Sequence, residues 1–508
     1  MTEPGRFRRQ VLLNTASTGL ANGWSMIVAL VSLPLVLDGL GPAAFGTWVL
    51  VQTFSAVTGW FSLADAGVGT AATRAIAEKA AVDDNSGVSR LVSSAMSVFA
   101  GLGVLCAAAL ALAGPALLPG LFNTPAGLRD DLRLALVVFA VQILLDLLTE
   151  GAEACLEGLQ RVDLSRGIDV VRRTLVAGAT VVVARNTNGL AAVAIASVIA
   201  SAAGTVLASG VLARHLPAGP SRPATADVRQ LLSYGKTVAV LRPLGVLHRT
   251  MDRLVVGAVL GPEAVALVEI ATQVQNGADA VLSASAYAVV PTAAWLSARE
   301  DHDTMRELLH RGTKYSMLVT IPVAAIAAAL AGPIVRVWLG EQYDDAAGLA
   351  AMALLSIIVV APLHVGSNLL LGVGRAVDIL RAAGAAIVVN LAVSLVLVRV
   401  TGIVGVFQAT LLASAVLVPT LARSVLRAVG SDLGTFLRWA VVPVLLPTAA
   451  LVAGAGAVVL LSLSDIVTLV VGSIVGLGAY AAVALRWAVD RAELAELRAA
   501  VSRGAGGE

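Results

Sequence analysis

Four stretches of this chain, 91–128, 315–335, 439–464 and 466–485, contain no Asp, Glu, Lys or Arg. Each can hold roughly 20 helical residues, the length that crosses about 30 Å of hydrocarbon. A water-soluble fold covers its surface with charge, and such chains carry about 25% charged residues. Here the charged fraction is 13%, against 58% hydrophobic residues and a mean hydropathy of +0.87. Lipid is the expected solvent. Within it every backbone N–H and C=O must be satisfied inside a helix or a closed barrel. The period-2 alternation of a barrel strand is absent, so the fold class is an all-α polytopic membrane protein.

The apolar pattern predicts about fourteen spanning helices. They lie near 11–37, 43–66, 90–113, 132–155, 168–185, 189–212, 231–259, 264–287, 314–335, 347–371, 378–398, 403–424, 438–461 and 466–486. The first is too long for the apolar core of a signal peptide and holds no small-residue cleavage site, so it reads as a retained helix. Positive charge orients the set. With the N-terminus in the cytoplasm, 26 Lys and Arg fall in inside segments, among them Arg6, Arg74, Arg161, Arg172, Arg173, Arg306 and Arg427. Only 5 fall outside: Arg129, Arg133, Arg185, Arg336 and Arg399. Both termini are therefore expected in the cytoplasm of a bacterial cell, with the chain in its inner membrane.

The chain also repeats itself. Leu40-Gly41-Pro42 recurs as Leu260-Gly261-Pro262, and Leu112-Ala113-Gly114-Pro115 as Leu330-Ala331-Gly332-Pro333. Gly158 with Arg161 recurs as Gly372 with Arg375, and Gly189 as Gly402. The offset drifts only from 220 to 213. Six helices per copy is an even number, which implies two parallel lobes about an axis along the membrane normal, with a cleft between them and alternating access as the mode of transport. The expected organisation is an N-lobe over 1–215, a cytoplasmic linker over 216–230, a C-lobe over 231–428, and a terminal helix pair with a cytoplasmic tail over 429–508.

Several chemistries are excluded. No soluble loop is long enough for a catalytic domain, so the chain does not read as an enzyme. Gly235-Lys236-Thr237 looks like the tail of a phosphate-binding loop, but the position of its first glycine is Gln230. Cys106 and Cys155 sit inside predicted helices, without metal or disulfide spacing. Aromatic residues make up only 4%, so no platform for stacking nucleic-acid bases is visible.

What remains are polar groups at membrane depth, which are costly there unless paired or hydrated. In the seventh segment Arg242, Arg249 and Arg253 stand at spacings of 7 and 4, on one helical face, with His248 and Asp252 beside them. They form a candidate cationic wall for an anionic substrate, since the guanidinium fork binds phosphate bidentately and stays charged. The alternative is a structural network in which Arg249 and Asp252 neutralise one another. The fourth segment carries Gln142, Asp146, Glu150, Glu153 and Glu157 as one stripe, either lining a cavity, carrying protons, or paired with Arg161, Arg172 and Arg173. Glu153 and Glu157 fit the paired reading better. Asp65, Asp146, Asp252 and Glu269 are candidates for coupling to H⁺ or Na⁺; no cofactor and no metal centre is expected.

The stretch Leu40-Gly41-Pro42-Ala43-Ala44-Phe45-Gly46-Thr47-Trp48 resembles the first outer loop of polysaccharide flippases. Asp65 to Arg74 resembles their D-x-G-[LV]-x-x-A-x-x-R segment, and Asp252 to Gly261 the D-[RK]-x-[VI]-[IV]-G-x-x-L-G ending of their seventh helix. Trp338-Leu339-Gly340 with Tyr343, and Asn368 to Arg375, also fit. The chain thus resembles the Wzx-like lipid-linked oligosaccharide flippases of the MATE-like MOP superfamily. The resemblance implies a V-shaped two-lobe fold. It also implies movement of a polyprenyl-pyrophosphate-linked oligosaccharide from the cytoplasmic to the outer leaflet. Membrane lipid, the polyprenyl-linked glycan, a polysaccharide polymerase and glycosyltransferases are the implied partners. Many members have twelve helices, whereas the lipid II flippase branch has fourteen, so a peptidoglycan-precursor flippase stays open. So do a cation-coupled drug exporter and a non-transporting scaffold of envelope assembly.

Overall fold

The computed structural model describes residues 4–65, 67–187, 189–238, 242–285 and 288–489, with the side chains of 4–16, 234–238, 242 and 285 left aside. Two compact units divide the chain, Met1–Ala266 and Leu267–Glu508.

The first unit opens with α1 (Pro4–Gln52), which breaks at Gly41, where φ is 76° and ψ is 163°. Glycine alone reaches that conformation cheaply, and Pro42 cannot donate to the turn before it. The segment expected at 43–66 is helical only as far as Gln52. Irregular turns follow, in which side-chain hydroxyls join the backbone bonds: Thr53 Oγ1 donates to the Leu50 carbonyl, and Ser55 Oγ accepts from the N–H groups of Thr58 and Gly59. A 3₁₀ turn, Trp60–Asp65, follows. Next come α2 (Val68–Ala80), α3 (Asn85–Leu121), α4 (Arg129–Gly158), α5 (Val162–Asn186), α6 (Leu190–His215), α7 (Thr225–Val238) and α8 (Arg242–Val259). The helix α9 (Pro262–Ser285) begins in this unit.

Helix α4 is the axis of the first unit, packed against α3 and α6, while α5 lies on α1 and α6. Leu136, Phe139, Ile143 and Leu147 on α4 are fully buried. Lipid gives no hydrophobic drive between helices, so close packing of small residues must hold them. A Cβ on Gly103 would stand 2.7 Å from a Leu144 methyl, and one on Gly151 2.7 Å from the Phe99 ring. The linker after α6 is laid along α3. The N–H groups of Ala218, Ser221 and Ala224 donate to the hydroxyls of Ser89, Ser93 and Ser94 at 3.3, 3.2 and 3.0 Å. Arg90 pairs with Asp227 at 2.9 Å beside them.

The second unit contains α10 (Val289–Ala298), α11 (His302–Ala329), α12 (Ala331–Leu339), α13 (Asp345–Gly372), α14 (Ala376–Thr401) and α15 (Val404–Val429). After the short α16 (Leu433–Phe436) and a π turn, the pair α17 (Val442–Val459) and α18 (Asp465–Val483) closes the described chain. This pair packs on α11, where Tyr480 Oη donates to the Leu318 carbonyl at 3.0 Å. Arg336 on α12 donates to Asp465 at the start of α18 at 2.8 Å and to Asp344 at 2.8 Å. Hydrogen bonds from those carboxylates hold the Arg336 guanidinium above its ordinary pKa.

Among the described residues eleven helices are long and apolar enough to cross a membrane. The remaining three expected segments also have helical counterparts. The helix after Gly41 is short, and α5 and α8 carry charge: Asp163, Asp169, Arg172 and Arg173 on one, Arg249, Asp252 and Arg253 on the other.

The internal repeat is visible in backbone geometry. Gly41 and Gly261 share positive φ, at 76° and 91°. Asp83 and Glu300 share it at 56° and 55°, each just before an aspartate cap: Asp84 accepts from Gly87 N–H, and Asp301 from Thr304 N–H. Gly158 presses on α2, where a Cβ would lie 2.9 Å from the Thr73 carbonyl oxygen. Its counterpart Gly372 presses on α10, where a Cβ would lie 2.5 Å from the Val290 carbonyl oxygen. The residue before α5 is Arg161, paired with Asp163; the residue before α14 is Arg375, paired with Asp378.

Candidate functional site

Helix α8 is two-faced. Val246, Thr250, Met251, Val255 and Val256 are buried, and Gly257 lets α8 approach Leu50 of α1 and Phe122 at the end of α3. His248 and Arg249 are exposed on the other side, with Asp252 and Arg253 half-buried one turn on. The Arg249 guanidinium folds back over Gly245, its Nη1 3.5 Å from where a Cβ on that glycine would stand. Arg253 is the charge that acts on Asp252. Arg242 is the first residue of α8, and its side chain lies outside the described residues.

A second polar set is buried between α4, α5 and α6. Arg172 of α5 donates from Nη1 to Asp146 of α4 at 3.1 Å and from Nη2 to Asp169, one turn back on its own helix, at 3.3 Å. Arg173 Nε donates to the same Asp169 oxygen at 2.7 Å. Ser201 of α6 donates to Asp146 at 2.6 Å, and Ser197 donates to Gln142 at 2.7 Å. Thr149 and Thr205 share a hydrogen bond of 2.9 Å. Arg172 and Asp146 are 6% and 3% exposed, so this is an interior ion pair and not a surface one. Gly204 makes room for it, since a Cβ there would stand 2.8 Å from the Arg172 stem.

The acidic stripe of α4 thus divides. Asp146 takes Arg172, and Glu157 accepts from Arg166 at 2.9 Å and from Ser165 at 3.1 Å. Arg161 turns instead to Asp163 and His215. Asp169, Ser197 and Ser201 were not singled out from sequence. Their step of 3 or 4 from Arg172 and from one another is a usable signal, but only once α5 and α6 are known to face α4.

The other candidate residues stand apart. Asp65 is fully buried and accepts from Gly69 N–H at 2.6 Å, at the start of α2. Glu269 is half-buried on α9 in the second unit, near Gln273, which accepts from Asn276 at 3.4 Å. Asn368 Nδ2 donates to the His364 carbonyl on its own helix. No three His, Cys, Asp or Glu among the described residues are grouped to hold a metal.

The fold is that of a multi-pass membrane protein and is MATE-like. An inward-facing MATE multidrug transporter of the MOP superfamily superposes with a TM-score of 0.63 at 13% identity, over 80% of this chain and 95% of the other. An inward closed structure of the lipid II flippase MurJ superposes with a TM-score of 0.64 at 15% identity, over 91% and 97%. In sequence, residues 40–348 match the family described as polysaccharide biosynthesis protein, and the chain belongs to that family. It is also similar to a Shigella flexneri protein assigned as an O-antigen transporter, 22% identical over 63% of this chain and 74% of the relative.

Proposed function

We propose that the protein is a flippase that moves a polyprenyl-pyrophosphate-linked oligosaccharide, a precursor of a cell-envelope polysaccharide, from the cytoplasmic to the outer leaflet of the bacterial inner membrane. It works by alternating access, with both termini in the cytoplasm. Membership of the polysaccharide biosynthesis family supports the cargo class. The observation that carries the reading is the α8 face, where Arg249 is exposed and Arg253 half-buried one turn away. Two guanidiniums at that spacing suit a pyrophosphate or an acidic sugar, and Arg242 is the third candidate.

The test follows lipid-linked sugar on the outer leaflet in cells carrying Arg249→Ala with Arg253→Ala. A charge-assisted hydrogen bond contributes about 1.5–3 kcal/mol, so export should fall about ten- to a hundredfold. Undiminished export at normal protein level would refute the role. The terminal pair α17–α18, outside the six-helix repeat, favours a second cargo, the peptidoglycan precursor lipid II. Rescue of a strain lacking its lipid II flippase separates the two.

A further inference from the structure

Glu153 lies on α4 two turns beyond Asp146, and its Oε1 is buried with no hydrogen-bond partner. The Nε of Arg172 is likewise buried without a partner. These two unmatched groups belong to the same interior set, since Arg172 is the strongest charge acting on Glu153, followed by Asp169, Arg166 and Arg173. On α4 itself Glu150 stands one turn before Glu153 and Glu157 one turn beyond. The other helices packed on this stretch bring no further charge to the contacts seen. Helix α2 offers Thr73 and Ile76, α3 offers Phe99, and α6 offers Ser201 and Thr205.

Charge counting then decides the state of the site. Arg172 and Arg173 are already shared by Asp146 and Asp169, two cations to two carboxylates. Arg166 is taken by Glu157. An ionised Glu153 would add a carboxylate that none of these three cations is left to match, and a buried charge of that kind is strongly unfavourable. A neutral carboxyl fits. We propose that Glu153 is the site of an exchangeable proton, whose departure draws Arg172 from Asp146 toward Glu153 and so resets the packing of α4 on α5 and α6. Arg172 has a donor spare for the purpose, and Ser201 keeps Asp146 partly satisfied when the guanidinium leaves. The proton comes from and returns to water; no metal is needed. The coupling role rests on the flippase reading, whereas the proton site does not.

The test is difference infrared spectroscopy on the full chain in lipid vesicles, wild type against Glu153→Gln. At neutral pH the wild type should show a protonated-carboxyl band that the variant lacks. Identical carboxyl regions would overturn the proposal. Glu153→Asp guards against a misfolded Gln variant: it should keep a protonated-carboxyl band at a shifted frequency, and a spectrum unchanged from wild type overturns the proposal too. Outer-leaflet export by Glu153→Gln should persist but lose its dependence on an imposed pH gradient; retained dependence overturns the coupling. If the band is present while neither chain moves lipid-linked sugar, the cargo reading fails and the proton site stands.

Discussion

Helices α4, α5 and α6 and their repeat partners α13, α14 and α15 are built on one plan and filled with different chemistry. At the repeat offset Asp146 corresponds to Val360, Asp169 to Ala383 and Arg172 to Ala386. Where the first set holds an ion pair, the second holds amides and hydroxyls. Asn390 donates to Thr410 Oγ1 at 3.0 Å, Ser394 donates to Asn390 at 2.9 Å, and Ser414 donates to the Thr410 carbonyl. The same three-helix packing therefore forms without any buried charge. Desolvating two ions often costs more than their attraction returns, so an interior salt bridge is weak evidence of a need for stability. The charges in α4 and α5 call for a role other than holding the helices together.

The largest effect is expected from breaking that pair on one side. Arg172→Met leaves Asp146 in the interior without its cation, while Asp169 keeps Arg173, and should cost about 3–5 kcal/mol of unfolding free energy in micelles. Converting all three positions should restore most of it. Asp146→Val with Asp169→Ala and Arg172→Met copies the neutral side while keeping volume near Gly204, and should return to within about 1–2 kcal/mol of wild type. Stability that stays as low in the triple variant as in the single one would mean the ion pair is structural after all. Export by the restored triple variant should still be impaired.

A matched effect is expected at the glycines that mark the repeat. Gly158→Leu should press on α2 and Gly372→Leu on α10, each at a cost of about 1–3 kcal/mol, read by the same unfolding titration. The Cβ positions lie 2.9 and 2.5 Å from carbonyl oxygens that cannot swing aside. A large loss at one site and none at the other would break the equivalence of the two packings. On the neutral side, Asn390→Val should cost only about 0.6 kcal/mol, the usual worth of a hydrogen bond between membrane helices.

These sites also show how far the sequence could be read. Apolar runs locate nearly every helix, because a backbone in lipid has few options, and the repeated Leu-Gly-Pro marks two turns of the same shape. The stripe on α4 was legible too, since steps of 3 and 4 define a face. Its partners were not: periodicity says which side of a helix is polar, not which helix lies against it, so Arg172 could not be told from Arg161 or Arg173. The end of the helix at Gln52 was hidden for another reason. The apolar pattern runs on through 53–65, while hydroxyls of Thr53 and Ser55 compete for the backbone groups and the chain turns. On α8 the spacing of Arg249 and Arg253 was plain, whereas the backward fold of Arg249 over Gly245 depends on a missing side chain.

The smallest effect is expected at the two aspartate caps, and it sharpens the comparison from the water side. Asp84 and Asp301 hold the first turns of α3 and α11, and both carboxyls are kept below their ordinary pKa, chiefly by the backbone N–H groups of Gly87 and Thr304. Asp84 falls to about 2, helped by Lys79 at 3.0 Å, a partner that Asp301 does not share. A depressed carboxyl stabilises the fold above its unfolded pKa of about 3.9 and loses that contribution as pH falls toward the folded value. Both caps should therefore be fully engaged at neutral pH and weaken only in acid, with Asp84 holding on to lower pH than Asp301. Asp84→Asn keeps an acceptor for the Gly87 N–H but has no proton to gain, so the acid-side loss of stability should shrink in that variant. Hydrogen exchange at Gly87 and Thr304 between neutral and acid pH reads the two caps separately. Equal loss at both would remove Lys79 from the account of why the halves differ.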